Sequence, residues 1–118
     1  MIITNKTRRI VLSKDAKEAR SFFSRMRGLM FAKKPQTIVL VNPHKDVEGA
    51  SIHMFFMRMP IDVIWLNEGM KVVSVFEGAK PWAIKIFRPR LSAKYVVECP
   101  IRSIKRTKTK EGDTFEFT

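Results

Sequence analysis

Few residues in this chain have a type and placement that could do chemistry, and the clearest are two carboxyls. Asp62 stands between Ile61 and Val63, and Glu98 between Val97 and Cys99, so each interrupts an apolar stretch. A carboxyl in that setting either works as an acid, a base or a ligand acceptor, or is satisfied by backbone N–H groups or an arginine. For Asp62 the turn at Pro60 offers backbone donors, while Glu98 either meets an arginine or points to solvent. Both in one cleft would be the minimum for a small enzyme. His53, in His53-Met54-Phe55-Phe56-Met57, could carry a proton or simply make a structural hydrogen bond, and His44 follows Pro43 in a loop. Cys99 is the only cysteine, which excludes an intramolecular disulfide and any multi-cysteine zinc site. Its plain reading is a small buried apolar residue. The five glycines are isolated from one another, so no phosphate-cradling loop is present. No metal and no cofactor is expected, and catalysis has no motif behind it.

Binding residues are easier to nominate. Met54, Phe55, Phe56, Met57, Met59 and Trp65 form a methionine and aromatic stripe that would line an apolar cleft or fill an ordinary core. Lys80-Pro81-Trp82 places a cation and an indole in a turn, where Trp82 could stack on a ligand ring or pack beneath the loop. Charge is the strongest compositional signal. The chain has 118 residues with 23 basic and 11 acidic side chains, net +12. Residues 1–34 carry net +8, residues 35–78 net −2, residues 79–110 net +9 and the last eight net −3. Such a balance implies weak, salt-sensitive attraction to polyanions whatever the biological task. Phe55, Phe56, Trp65 and Phe76 concentrate in the near-neutral middle block, while the basic blocks contain Phe22, Phe23, Phe31, Trp82, Phe87 and Tyr95, of which Phe23 belongs to the helix's apolar stripe. That segregation points to aromatics in the core and Lys/Arg in a solvated shell, which argues against dedicated nucleic-acid recognition.

The elements that must position these residues follow from periodicity. Two short strands are expected around residues 1–3 and 10–12. Ala16, Ala19, Phe23 and Met26 then recur at helical spacing, with Ser13 or Asp15 as the N-cap and Glu18 completing a capping box. Gly28 should end this helix with positive φ, with Leu29 folding back toward Phe23. Residues 36–41 read as a strand buried on both faces. Residues 52–59 and 61–66 read as apolar strands separated by Pro60, and Asn67-Glu68-Gly69 as a hairpin turn with positive φ at Gly69. Residues 70–76, 83–87, 95–99 and 113–117 supply further strands, and residues 101–110 a short helical turn. The class expected is α+β: a mostly antiparallel sheet or partly closed β-barrel with one amphipathic helix near the N-terminus, in a single domain over 1–118. No apolar run approaches the roughly 18 residues that span a bilayer, and the first residues lack a signal-peptide core. A soluble cytoplasmic protein with no membrane association is expected.

Several short motifs occur in order: Arg27-Gly28-Leu29-Met30, Met54 followed by Pro60-Ile61-Asp62-Val63-Ile64-Trp65, Lys80-Pro81-Trp82, Val97-Glu98-Cys99-Pro100, and Gly112-Asp113. Together they resemble domain-of-unknown-function family 192, small bacterial and archaeal proteins without an established role. The resemblance implies a compact β-rich domain with one helix. It also implies that a Trp-Met-Lys-Asn-Thr stretch of other members has become His53-Met54-Phe55-Phe56-Met57 here, and that Arg102 replaces a glycine. Arg27, Asp62 and Glu98 are the charged positions that match. The functional expectation is a non-catalytic binding or accessory domain for an unidentified ligand or protein. Its candidate site residues are Arg27, Asp62, Glu98, Trp82 and Met54. The alternatives are a non-specific nucleic-acid-binding module and a small enzyme using Asp62 and Glu98. At least two of Arg27, Asp62 and Glu98 should lie within ion-pairing reach beneath the turn after the helix, because buried carboxylates need partners.

Overall fold

A computed structural model describes residues 1–118, apart from the side chains of Phe22 and Phe23. The architecture is α+β with two sheets, mixed but mostly antiparallel. A three-stranded sheet has the order β2-β1-β8, from Ile10–Ser13, Ile3–Asn5 and Phe115–Phe117. A five-stranded sheet has the order β3-β4-β7-β5-β6, from Lys17–Ala19, Ile38–Val41, Tyr95–Pro100, Ile61–Leu66 and Val72–Ala79. Among the described residues these sheets keep open edges, so the barrel alternative is not realised.

The larger sheet is covered on both faces, which explains its unbroken apolar runs. All six residues of β5 are buried. One face (Leu40, Val63, Trp65 and Val96) packs against Leu29, Ile52, Met54 and Met57 from the connecting loops. The other (Val39, Ile64, Val97 and Cys99) packs against the small sheet and Ile104 of the helix α2, Ser103–Thr107. Residues 52–59, expected as a strand, form a loop with a single bridge, Ile52 to Phe87. Their apolar character reflects a covering layer rather than a ladder. The same bridge is the only strand-like pairing of residues 83–87.

The N-terminal helix is shorter than periodicity suggests. Helix α1 is Phe22–Arg27, and its N-cap is Ser21, whose hydroxyl accepts the Ser24 N–H at 3.1 Å. Residues 17–19 instead form β3, parallel to β4. Pairing with the sheet outweighs a modest local helix preference there, and it displaces the capping roles assigned to Ser13 and Asp15. The expected contact of Leu29 with Phe23 lies outside the described residues. Gly28 has φ +48 and ψ −125, and the Met30 N–H donates to the Arg27 carbonyl at 2.8 Å. Positive φ at Gly28 is therefore present, in the dihedral signature of a type II′ turn rather than a left-handed helix cap. Gly69 lacks the positive φ expected of it. Met70 takes that conformation instead, at φ +68, as the last residue of a longer hairpin loop.

Candidate functional site

Glu98 lies on β7 opposite Ile38 and Val63, on the face of the large sheet covered by loops. Its residue is only 5% exposed. Its side chain rises beneath the Gly28–Leu29 turn, where Oε1 accepts the Leu29 N–H at 3.3 Å. A Cβ built on Gly28 would stand 2.8 Å from that oxygen, so the absence of a side chain at Gly28 lets the turn close over the carboxyl. Among the described residues no cation pairs with Glu98. Burial, opposed only by the Leu29 hydrogen bond, pushes its pKa from 4.5 up to about 7. The carboxyl forms part of the wall of a cleft of about 370 Å³. Arg25, Met26 and Arg27 of α1, Leu40, Ile52 and Met57 line it too, with His44 and His53 from the loop. Arg25 Nε is buried there without a hydrogen-bond partner. His53 Nδ1 accepts the Phe55 N–H at 3.1 Å, the structural role open to it from the start.

Asp62 is also buried but belongs elsewhere. It pairs across strands with Cys99, whereas Glu98 pairs with Val63. Residues opposite one another share a face and successive residues alternate, so Asp62 and Glu98 point to opposite faces of the sheet. The enzyme reading that needed both carboxyls in one cleft fails on this geometry. Asp62 is satisfied by backbone N–H groups: Oδ1 accepts from Gly78 at 2.9 Å and Oδ2 from Ile104 at 3.0 Å. The second bond caps α2, whose own N-cap, Arg102, makes no side-chain cap. The expected ion pairing among Arg27, Asp62 and Glu98 is likewise not found. Backbone N–H groups occupy both oxygens of Asp62 but only one oxygen of Glu98, and Arg27 is exposed.

A family model for DUF192, described as an uncharacterized ACR, matches residues 2–117. The chain belongs to the DUF192 family. It is 38% identical over 118 residues to a UPF0127 protein of Thermococcus kodakarensis, covering 99% of this chain and 73% of that protein. A UPF0127 protein of Pyrococcus horikoshii is 36% identical over 117 residues, covering 98% of each. A crystal structure of a protein of unknown function from Novosphingobium aromaticivorans superposes with a TM-score of 0.86 over 98% of this chain and 82% of that one. At 19% identity this last likeness is one of fold.

Within this DUF192 chain the remaining nominated residues separate. Met54 is wholly buried in the core, where its carbonyl accepts the Trp82 N–H at 2.8 Å, so its part is packing. Trp82 is exposed and touches Phe56. Phe56 keeps φ +64, a conformation that a bulky side chain rarely adopts. Sequence reasoning left Phe56 in a stripe open to either cleft or core, and did not nominate Arg25 or Phe31. For Arg25 the signal was present, since charged residues in a short helix beside a glycine turn reach the same space as that turn. For the two phenylalanines periodicity held no signal.

Proposed function

We propose that residues 1–118 form a single non-catalytic binding domain, and that the cleft under the α1 turn takes a small ligand. The observation that carries this reading is Glu98: a buried carboxyl on an open cleft with one hydrogen-bond partner and no cation. A buried polar group with unused hydrogen-bonding capacity favours a ligand that completes it. Near neutral pH Glu98 is poised between its acid and carboxylate forms, so it suits an N–H or O–H donor on the ligand. Met26, Leu40, Ile52 and Met57 offer an apolar surface for the ligand's body, and Arg25 offers a cation for an acidic group. A volume of about 370 Å³ sits at the small end of ligand pockets and suits one compact ring system. Binding is favoured over chemistry because the second buried carboxyl, Asp62, faces the other way and is engaged by the backbone. Among the described residues no helix is long and apolar enough to cross a membrane. A cytoplasmic location is part of the same proposal, supported by a single, buried, unpaired cysteine.

The test uses three compounds of one shape and different charge: benzamidine, benzamide and benzoate, titrated by ¹H–¹⁵N NMR. Benzamidine and benzamide should shift the Gly28, Leu29 and Ser51 amides in the native protein, and Glu98→Gln should remove the preference for benzamidine. Unmoved amides around the cleft at millimolar concentrations of all three would end this reading.

A further inference from the structure

A row of three solvent-facing aromatic rings stands beside the cleft. Phe31, Phe56 and Trp82 are 50%, 45% and 54% exposed. Phe56 touches both of the others, its ring centroid 5.3 Å from that of Phe31 and 4.9 Å from that of Trp82. The three come from different loops yet share one backbone conformation, with φ of +65, +64 and +60. A bulky side chain rarely adopts this left-handed region, and it persists only where the surroundings hold it. Here backbone bonds between the loops do so: the Phe31 N–H donates to the Phe56 carbonyl at 2.9 Å, and the Trp82 N–H to Met54 at 2.8 Å. The fold thus accepts backbone strain at the same residues whose rings it leaves in water.

The charge around the row is one-sided. Segments 25–34, 53–60 and 79–85, which carry the rings, contain seven Lys or Arg and no Asp or Glu. Arg27, Lys33, Lys34, Arg58 and Lys80 are exposed, and among the described residues none of the five is in an ion pair.

We propose that this face binds single-stranded nucleic acid, with bases stacked on Phe31, Phe56 and Trp82 and phosphates held by the five unpaired cations. Unpaired cations select a polyanion, and exposed rings select a polyanion that also carries flat apolar faces. A single strand supplies both, and a row of this length accommodates two or three bases. A duplex hides its base faces within its own stack, so it satisfies only the charge. An anionic bilayer satisfies the charge as well. However, insertion favours side chains free to extend into lipid, and these rings pack against one another, Phe31 tilted on Phe56 and Phe56 edge-on to Trp82. The sequence expectation of aromatics in the core therefore fails at Phe31 and Phe56, while Trp82 takes the exposed position its turn left open, and the ground for ranking nucleic acid low falls with them. This inference is independent of the ligand proposed for the Glu98 cleft.

The experiment is fluorescence anisotropy of the full chain with a labelled 20-nucleotide mixed-sequence single strand, RNA and DNA, and with the matching duplex, across a salt series. Phe56→Asn and Trp82→Asn remove a ring while keeping a residue that tolerates the left-handed backbone. Each should weaken single-strand binding about tenfold without changing the salt slope. The double variant Lys33→Gln/Lys34→Gln should instead lower the slope of log K against log salt by about 1.4. Trp65 is buried, so acrylamide quenching reports Trp82, and the oligonucleotide should protect it. Circular dichroism verifies the fold of each variant, and the protection measurement on the native chain stands even if a variant misfolds. Ring variants that bind like the native protein, a duplex bound as tightly as the strand, or an unprotected Trp82 would each overturn the proposal. So would phosphatidylglycerol vesicles that protect Trp82 where the oligonucleotide does not.

Discussion

Replacing Glu98 by Gln should stabilise the protein at pH 8 and leave its stability unchanged at pH 4. The carboxyl's pKa rises from 4.5 in the unfolded chain to about 7 in the native fold, because burial opposes its charge. Below pH 4.5 it is protonated in both states and contributes no difference. Between pH 4.5 and 7 the native state keeps the proton that the unfolded chain releases, so native stability falls as pH rises. Above pH 7 the native state must ionise a buried carboxyl, at a penalty of about 3 kcal/mol, taking about 1.4 kcal/mol per pKa unit. Glutamine keeps the volume and an oxygen for the Leu29 N–H but never ionises. Arg25 and Arg27 from α1, and His44 and His53 from the connection between β4 and β5, line the same cleft, and attraction between these groups and the carboxylate would narrow the gap. Urea denaturation of the two proteins between pH 4 and 8.5 reads the gap directly. It should open through the window 4.5 to 7 and plateau near 3 kcal/mol, roughly a 10 °C difference in Tm for a chain of this size. A constant gap, or a Gln variant less stable at pH 8, would show that Glu98 ionises at no penalty and that the cleft hydrates it.

Gly28→Ala should lose about 2 kcal/mol or more, since its φ and ψ suit only glycine and its new Cβ would press on Glu98; the urea midpoint measures this. Asp62→Ala should lose about 2–3 kcal/mol by stranding two N–H donors, with faster amide exchange at Gly78 and Ile104, whereas full protection there would refute the capping role. Asp113 titrates in the opposite sense to Glu98. Burial opposes its charge, but hydrogen bonds from Arg8, Asn5 and the Lys110 N–H outweigh this and hold its pKa below 3.8. Its contribution is therefore present above pH 3.8 and lost as pH falls through the lowered value. Asp113→Asn should lose about 2 kcal/mol at pH 7 and much less at pH 2, as acid denaturation curves would show.

Residue types and their spacing were enough to define the parts of this protein that depend on leaving water. The run at 61–66, apolar and rich in branched residues, read as a strand, and β5 is one. Gly28 could only follow a helix with positive φ, and Asp62, set in an apolar strand beside a turn, was open to satisfaction by backbone N–H groups. The strand and the glycine turn follow from local pattern and backbone stereochemistry, whereas the donors to Asp62 come from Gly78 and Ile104 rather than from the Pro60 turn. Tertiary structure decided what depends on partners. Lys17–Ala19 became a strand because the β4 edge was available to pair with it, and no helical periodicity can report a partner some twenty residues away. Glu98 met the Leu29 N–H rather than an arginine because the Gly28 turn closes over it. Asp62 and Glu98 were separated by strand register, which places residues 62 and 98 on opposite faces of one sheet. Phe31, Phe56 and Trp82 came together in water because three loops are tied by backbone hydrogen bonds, and composition, which puts aromatics in cores, carries no information about which loops meet.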